Sequence, residues 1–593
     1  MTKQRIFAPS LFILLLLISG YRSDSSATPQ AGAEQPEVQW IRSHAVRLQT
    51  PEASHGFADM RPLKKIVGNA RIVSLGEATH GTREFFQLKH RMLEFLASEM
   101  GFTIFSIEAN MPEAYRLNDF VLNGQGDPAK LIKGMYFWTW NTQEVLDMVL
   151  WMREFNKSGK GRVQFTGFDM QTPDVAAEIV REFVDKNDSD YAATLHKATD
   201  LAKAPPRAAG PGFGVATGTF PVSAATGKRI RYSGYIKSEN ITRGFAGLWW
   251  RIDGASGVLA FDNMQDRGVK GTTDWKRYEI ELPVAADAKN INFGAIHTGD
   301  GSAWFDGLSV EVDNVPFAEL SQMDPDFEGT APKMYTGGNG YQVQFVSDVF
   351  HSGKQSLRMK FAGSPAGAAE AVDPKVVAAS WQDVIRHLEE SREAYVKKGI
   401  AARDVEWVIQ NARVVLQCMQ MRANIVSRDQ SMAANIKWIL DNNPNAKIVL
   451  WAHNGHVSTS AVGAYEPMGV SLRKMFGDSM VVFGFAFNQG SFQAVERGKG
   501  LRDFTVTPAP ADSLDATLAA TSIPLFALDL RTAPKSGPVA TWLALPHKTR
   551  SIGALYSEEA AAQYFWETNI LKAFDVLLFV DKTTAARKIA QAS

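Results

Sequence analysis

Six titratable residues follow four short apolar runs in this chain, and their types suit proton transfer. Residues 71–76 (RIVSLG) run into Glu77 and His80, and 102–107 (FTIFSI) into Glu108. Residues 163–168 (VQFTGF) run into Asp169, and 447–451 (KIVLW) into His453 and His456. A histidine titrates near neutrality and can take a proton from water. A carboxylate beside it fixes the tautomer and stabilises the imidazolium. In Gly76-Glu77-Ala78-Thr79-His80-Gly81 two glycines flank a tight turn that would hold both partners together. In His453-Asn454-Gly455-His456 two histidines three apart can converge as oxyanion donors, substrate clamps or metal ligands. One such strand end is explained by a helix-capping acid or a loop histidine. Four together point to a catalytic rim.

The runs themselves read as strands buried on both faces, short and rich in β-branched and aromatic residues. Between them lie helical spacings at 82–100, 113–122 and 142–156. Strand and helix in alternation imply an α/β fold with a mostly parallel sheet, whose ligands bind beyond the carboxyl ends of the strands. The texture changes at 204–214 (APPRAAGPGFG), a Pro/Gly-rich linker. Short alternating segments follow at 229–237, 246–252, 275–282, 291–297, 303–312, 341–349 and 356–361, as expected of a β-sandwich. Helical patterns return at 378–398, 405–426 and 432–441, and further strands at 480–487, 522–530 and 574–581. The expected organisation is a catalytic α/β domain in two parts, 38–203 and 375–593, interrupted by an inserted jelly-roll-like β domain at 205–370.

Length suggests about three to four units in 593 residues, and 45% hydrophobic composition supports large cores. Lys+Arg and Asp+Glu both total 63, so nothing favours nucleic acid or an anionic membrane as partner. Residues 1–30 read as a signal peptide, with Lys3 and Arg5 before an apolar 11–18 (LFILLLLI). Tyr21 stands where a lipoprotein would carry cysteine, so the expectation is a secreted or periplasmic protein without a membrane anchor after cleavage. An uncleaved N-terminal anchor is the alternative. The single cysteine, Cys418, excludes an internal disulfide and reads as a buried core thiol.

No Gly-x-Ser-x-Gly, His-Glu-x-x-His, phosphate loop or dinucleotide fingerprint occurs. Direct attack by water, with His80 as base and no covalent intermediate, is therefore the economical mechanism. The motifs then show a resemblance. Residues 62–68 (PLKKIVG), Val73 to Phe86 (VSLGEATHGTREFF), Phe105 to Glu108 (FSIE), Gly167-Phe168-Asp169, Arg428-Asp429-x-x-Met432-Ala433 and Trp451 to Val457 (WAHNGHV) resemble the erythromycin esterase family, over about 40–200 and 375–580. That family includes enzymes that open macrolide lactones and so confer antibiotic resistance. The resemblance implies His80 as water-activating base, Glu77 as the acid beside it, Glu108 as a second carboxylate, and His453 and His456 as site histidines. Asp169, Arg83, Lys89 and Asn454 are expected around the substrate. The antibiotic esterases carry Arg where this chain has Lys89, which cannot make a bidentate guanidinium contact. In the insert, 271–278 (GTTDWKRY), Trp304-Phe305-Asp306, Phe327-Glu328 and 353–358 (GKQSLR) resemble carbohydrate-binding or galactose-binding-like modules, with Trp249 and Trp250 as rings that could face a sugar. Two other readings stay open. One is a divalent-metal-dependent hydrolase with Glu77, His80, Glu108, Asp169, His453 and His456 as ligands. The other is a non-catalytic periplasmic glycan-binding protein.

Overall fold

The rim expected to be catalytic is carried by a mostly parallel sheet whose strand order could not be read from chain order. In this computed structural model the described residues are 35–203, 213–254, 257–329, 333–338, 340–362, 372–462, 465–496 and 499–589. The expected signal peptide and residues 204–212 of the linker lie outside them. Among the described residues no helix is long and apolar enough to cross a membrane.

The elements that position the site are β1 (Ile72–Leu75), α1 (Arg83–Met100), β2 (Ile104–Asn110), α2 (Met111–Asn123), α3 (Gln143–Lys157), β3 (Gln164–Asp169), α4 (Arg428–Asp441), β4 (Ile448–Trp451), β5 (Met480–Glu496), β6 (Leu525–Asp529) and β7 (Val576–Thr583). Across the sheet the order is Val46–Arg47, β6, β7, β5, β1, β4, β2, β3. From β7 to β3 all neighbours are parallel, while β6 runs antiparallel to both of its neighbours, β7 and the edge strand. Strand β4 thus sits between β1 and β2. Its Trp451 lies level with Leu75 on one side and Ile107 on the other.

Every residue of β1, β2 and β4 is buried. Their side chains alternate between two cores: Ile72 and Ile448 belong to one, Val73, Leu75, Val449 and Trp451 to the other. Both faces are covered by helices, which is why these strands read as continuous apolar runs rather than as alternating ones. Glu108 lies within β2, not beyond its end as expected, because the strand runs on to Asn110.

The chain leaves this unit after helix Ser189–Lys203 and rejoins it at helix Pro374–Glu390. The two helices meet in one core, where Trp381 Nε1 donates to Ala198 O at 3.2 Å. The helix expected over 378–398 is broken at Ser391 into Pro374–Glu390 and Arg392–Lys397.

Between these helices lies an antiparallel ten-stranded sheet with its own core. The segments expected as separate strands at 229–237 and 246–252 are one strand, Arg229–Gly254. Register shifts between Ile236 and Ala246 bend it sharply. Its two halves meet: the rings of Tyr232 and Trp250 are 5.5 Å apart, where an unbent strand would separate them by roughly 60 Å. Trp250 is fully buried and cannot present a face to a sugar; its neighbour Trp249, pointing the other way, is half-buried with Nε1 toward Ala216 O at 3.4 Å.

Candidate active site

The turn after β1 builds one corner of the site. A side chain at Gly76 would lie 2.2 Å from Asn454 Oδ1, and one at Gly81 2.2 Å from Gln493 O, so both glycines are required by close approach. Between them Glu77 is fully buried. Its Oε1 accepts from His80 Nδ1 at 2.6 Å, and its Oε2 from Lys89 Nζ at 2.6 Å and Trp451 Nε1 at 2.8 Å. Burial pushes the Glu77 carboxyl up, but Lys89 and His80 outweigh it and hold it below the usual carboxylate range. His80 therefore carries its proton on Nδ1 and leaves Nε2 without a protein partner among the described residues. The ring is 11% exposed and packs edge-on to Trp140 at 6.2 Å.

The second corner is built around Arg428 at the first turn of α4, a helix started by a Ser427–Gln430 capping box. Arg428 Nη2 reaches Glu108 Oε1 and Asp169 Oδ2, both at 2.7 Å, and its Nε reaches Asp169 Oδ1 at 3.1 Å. Glu108 Oε2 accepts the His453 backbone N–H at 2.9 Å. Burial raises the Glu108 carboxyl, but His456 and Arg428 prevail and keep it well below its ordinary value. His456 Nδ1 donates to Asp429 Oδ1 at 2.8 Å, and Tyr465 OH donates to Asp429 Oδ2 at 3.0 Å. His456 Nε2 faces Glu108 Oε1 at 3.3 Å and Arg428 Nη1 at 2.9 Å. Burial and Arg428 oppose a charge there, yet Glu108 and Asp429 outweigh them and raise His456 to about 10.

His453 lies between the corners, its ring 5.0 Å from that of His80. Its Nδ1 accepts from Gly455 N–H at 3.1 Å and its Nε2–H donates to Ile552 O at 3.3 Å. Burial, with His80 and His456 nearby, lowers it to about 3, so it stays neutral.

The structure thus gathers Glu77, His80, Glu108, Asp169, His453 and His456 in one place. The four residues expected around the substrate are placed differently. Lys89 is fully buried, under Glu77 and over the Trp451 ring at 4.4 Å, and touches no solvent-facing surface. Burial lowers it to about 8 against the pull of Glu77. Its place is to hold Glu77, which corrects the expectation of a substrate contact. Asp169 is fully buried on Arg428. Asn454 exchanges both amide bonds with the Phe485 backbone, at 2.7 and 3.0 Å, and ties β4 to β5. Arg83 points to Glu144, 3.8 Å away, in a group with Arg587 outside the site. These three are corrections as well: Asp169 and Asn454 are already used by their neighbours, and Arg83 points away from the site.

Arg428, Asp429, Tyr465, Trp451 and Ile552 were not singled out as site residues. Arg428-Asp429 stood in a recognised motif at a helix start, where its charge pair was the available signal. The Ile552 carbonyl left none. Among the described residues no group of three or more His, Cys, Asp or Glu is placed to hold an ion. Arg428 already supplies the cation between Glu108, Asp169 and His456, and both Glu77 oxygens are taken.

Comparison with known proteins identifies the family, and its matched span begins after Glu77 and His80. The model of the erythromycin esterase family matches residues 97–216 and 319–583, which include Glu108, Asp169, Arg428, His453 and His456. The chain is 30% identical over 174 residues to erythromycin esterase type II of Escherichia coli, covering 28% of this chain and 40% of that protein. It is 33% identical over 193 residues to YbfO of Bacillus subtilis, a protein named provisionally as a hydrolase, covering 32% and 39%. The aligned stretches thus span about two fifths of these relatives. A crystal structure of a Bacillus cereus protein is similar over 93% of this chain and 98% of its own, with a TM-score of 0.59 at 18% identity, a likeness of fold.

Proposed function

The chain belongs to the erythromycin esterase family, and from that premise we propose that it hydrolyses an ester or lactone with a water activated by His80. The observation that carries this reading is the Glu77–His80 pair. A buried carboxylate holds Nδ1–H, which leaves Nε2 as the free base. Nε2 takes a proton from water as the oxygen attacks the carbonyl carbon. Glu77 stabilises the imidazolium that forms, and Lys89 and Trp451 keep Glu77 from turning away. The carbonyl oxygen gains negative charge next to Arg428, which is 24% exposed on its open edge. When the tetrahedral species collapses, the carbon–oxygen bond of the leaving alcohol breaks. His80 returns the proton to that oxygen, and acid and alcohol are released without a covalent intermediate.

No cofactor enters this scheme. A divalent-metal mechanism is the competing one, and resistance of the activity to a chelator separates the two. The expected compartment is secreted or periplasmic. The β unit is proposed to be a jelly-roll-like module that binds a glycan, with Trp249 as the available ring. Retention of the whole chain on insoluble polysaccharide, lost on Trp249→Ala, tests that. If catalysis is absent altogether, the protein is a glycan binder with an α/β scaffold.

The deciding experiment incubates the mature protein with a fourteen-membered macrolide and looks by mass spectrometry for the gain of one water. Addition by the wild type and not by His80→Ala supports the proposal. No addition removes macrolides as substrate and turns the search to other esters. Equal addition by His80→Ala removes His80 as base.

A further inference from the structure

A buried carboxylate that the reaction does not use lies one peptide segment away from the site. Asp515 is in the first turn of helix Leu514–Ala519 and fully buried. Its Oδ2 accepts the Arg550 backbone N–H at 2.9 Å, while Oδ1 has no partner among the described residues. Among the described residues the Arg550 guanidinium does not bond this carboxylate; it instead spans Asn488 O and Thr507 O at 3.1 Å each and lies over Phe487 and Phe565. Burying a carboxylate that meets only backbone N–H groups is costly, and burial raises Asp515 to about 7. Packing alone would be served by an apolar side chain.

The cost is explained by what the held segment does next. Two residues on, Ile552 N–H donates to Ala78 O at 2.7 Å, inside the Glu77–His80 turn. Ile552 O accepts His453 Nε2–H. Residues 550–552 are therefore pinned at one end by Asp515 and grip both histidine-bearing loops at the other. Gly455 N–H on Nδ1 sets the tautomer of the neutral His453 ring, and the Ile552 carbonyl fixes its orientation by taking the Nε2–H.

We propose that Asp515 is a positioning residue for the hydrolytic site: by holding the Arg550 amide it fixes residues 550–552, whose backbone sets the Glu77–His80 turn and the His453 ring. This rests on the hydrolase reading for its kinetic consequence, but not for its structural one.

The test labels the histidines of the full chain with 15N and follows the His453 ring by NMR, assigned with His453→Gln. In wild type the ring shows the neutral Nε2–H form. Asp515→Ala is expected to shift or split that signal and, on the macrolide, to lower kcat about ten- to a hundredfold with KM within about twofold. Asp515→Asn keeps an acceptor oxygen for Arg550 N–H and is expected to restore both. Should Asp515→Ala not fold, Asp515→Ser shortens the reach and takes its place with the same expected loss. An unchanged His453 signal in the folded Ala or Ser variant overturns the proposal. So does a loss of kcat that Asp515→Asn fails to restore. The ring signal needs no turnover, so a failure of the hydrolase reading alone leaves it readable.

Discussion

Glu77 and Glu108 are the same residue type, both buried, on either side of β4, yet their surroundings prepare them for opposite work. Glu77 faces two fixed donors, Lys89 and Trp451, and one imidazole whose far nitrogen is open. Glu108 is closed by Arg428, a backbone N–H and His456, a ring held by Asp429 in turn. One corner leaves a ring nitrogen open, as the proposed proton transfer requires. The other holds charge still. The comparison teaches that role follows from the mobility of a carboxylate's partners, since residue type and burial are alike in both.

Breaking the mobile corner should have the largest effect. His80→Asn keeps a group able to donate to Glu77 but removes the base. Its kcat should fall about 10²–10⁴-fold, while Tm stays within a few degrees. A kcat near wild type would place the base elsewhere. Breaking the fixed corner should act on the fold first. Arg428→Met strands Glu108 and Asp169 as buried charges and should cost about 3–5 kcal/mol in urea unfolding, with hydrolysis lost alongside. A variant as stable as wild type would show that the cluster is not held by that cation.

A finer cut returns to the first corner. Trp451→Phe deletes one donor to Glu77 and leaves Lys89 in place, so a smaller cost of about 1.5–3 kcal/mol is expected in the same assay. The most gradual effect concerns the two histidines three residues apart, which should leave opposite marks on stability against pH. His453 titrates at about 3 when folded and near 6.5 when unfolded. The unfolded chain then binds the extra proton between these values, and stability falls as pH drops through that window, by up to about 1.4 kcal/mol per unit. His456 titrates at about 10 when folded, so its contribution is full below 6.5 and is lost as pH rises from 6.5 to about 10. His453→Gln should flatten the acid slope and His456→Gln the alkaline one. If either variant leaves its own slope unchanged, the charge assignment at that ring is wrong.

The readable parts of the site were local. The strand runs before Glu77, Glu108, Asp169 and His453, and the glycine-flanked turn around His80, rest on spacings of a few residues that sequence displays directly. The less readable parts depend on partners far away in the chain. Lys89 was expected at the substrate because the resemblance sets it where antibiotic esterases carry Arg, and its partners, Glu77 and Trp451, are not visible in sequence. Arg83 and Asn454 were misplaced for the same reason. In the β unit, two predicted strands proved to be one because the bend between 236 and 246 leaves no breaker stronger than Gly244.

By itself, the sequence determined which residues could do chemistry and that buried parallel strands would bring them to one edge. Both follow from side-chain type and from apolar runs that demand cover on two faces. The tertiary structure alone decided that β4, more than three hundred residues after β1, inserts between β1 and β2. That insertion sets His453 between His80 and Glu108 and brings Arg428 onto two carboxylates. Strand neighbours are chosen by how whole buried faces fit, a sum over distant contacts to which no short stretch of sequence corresponds.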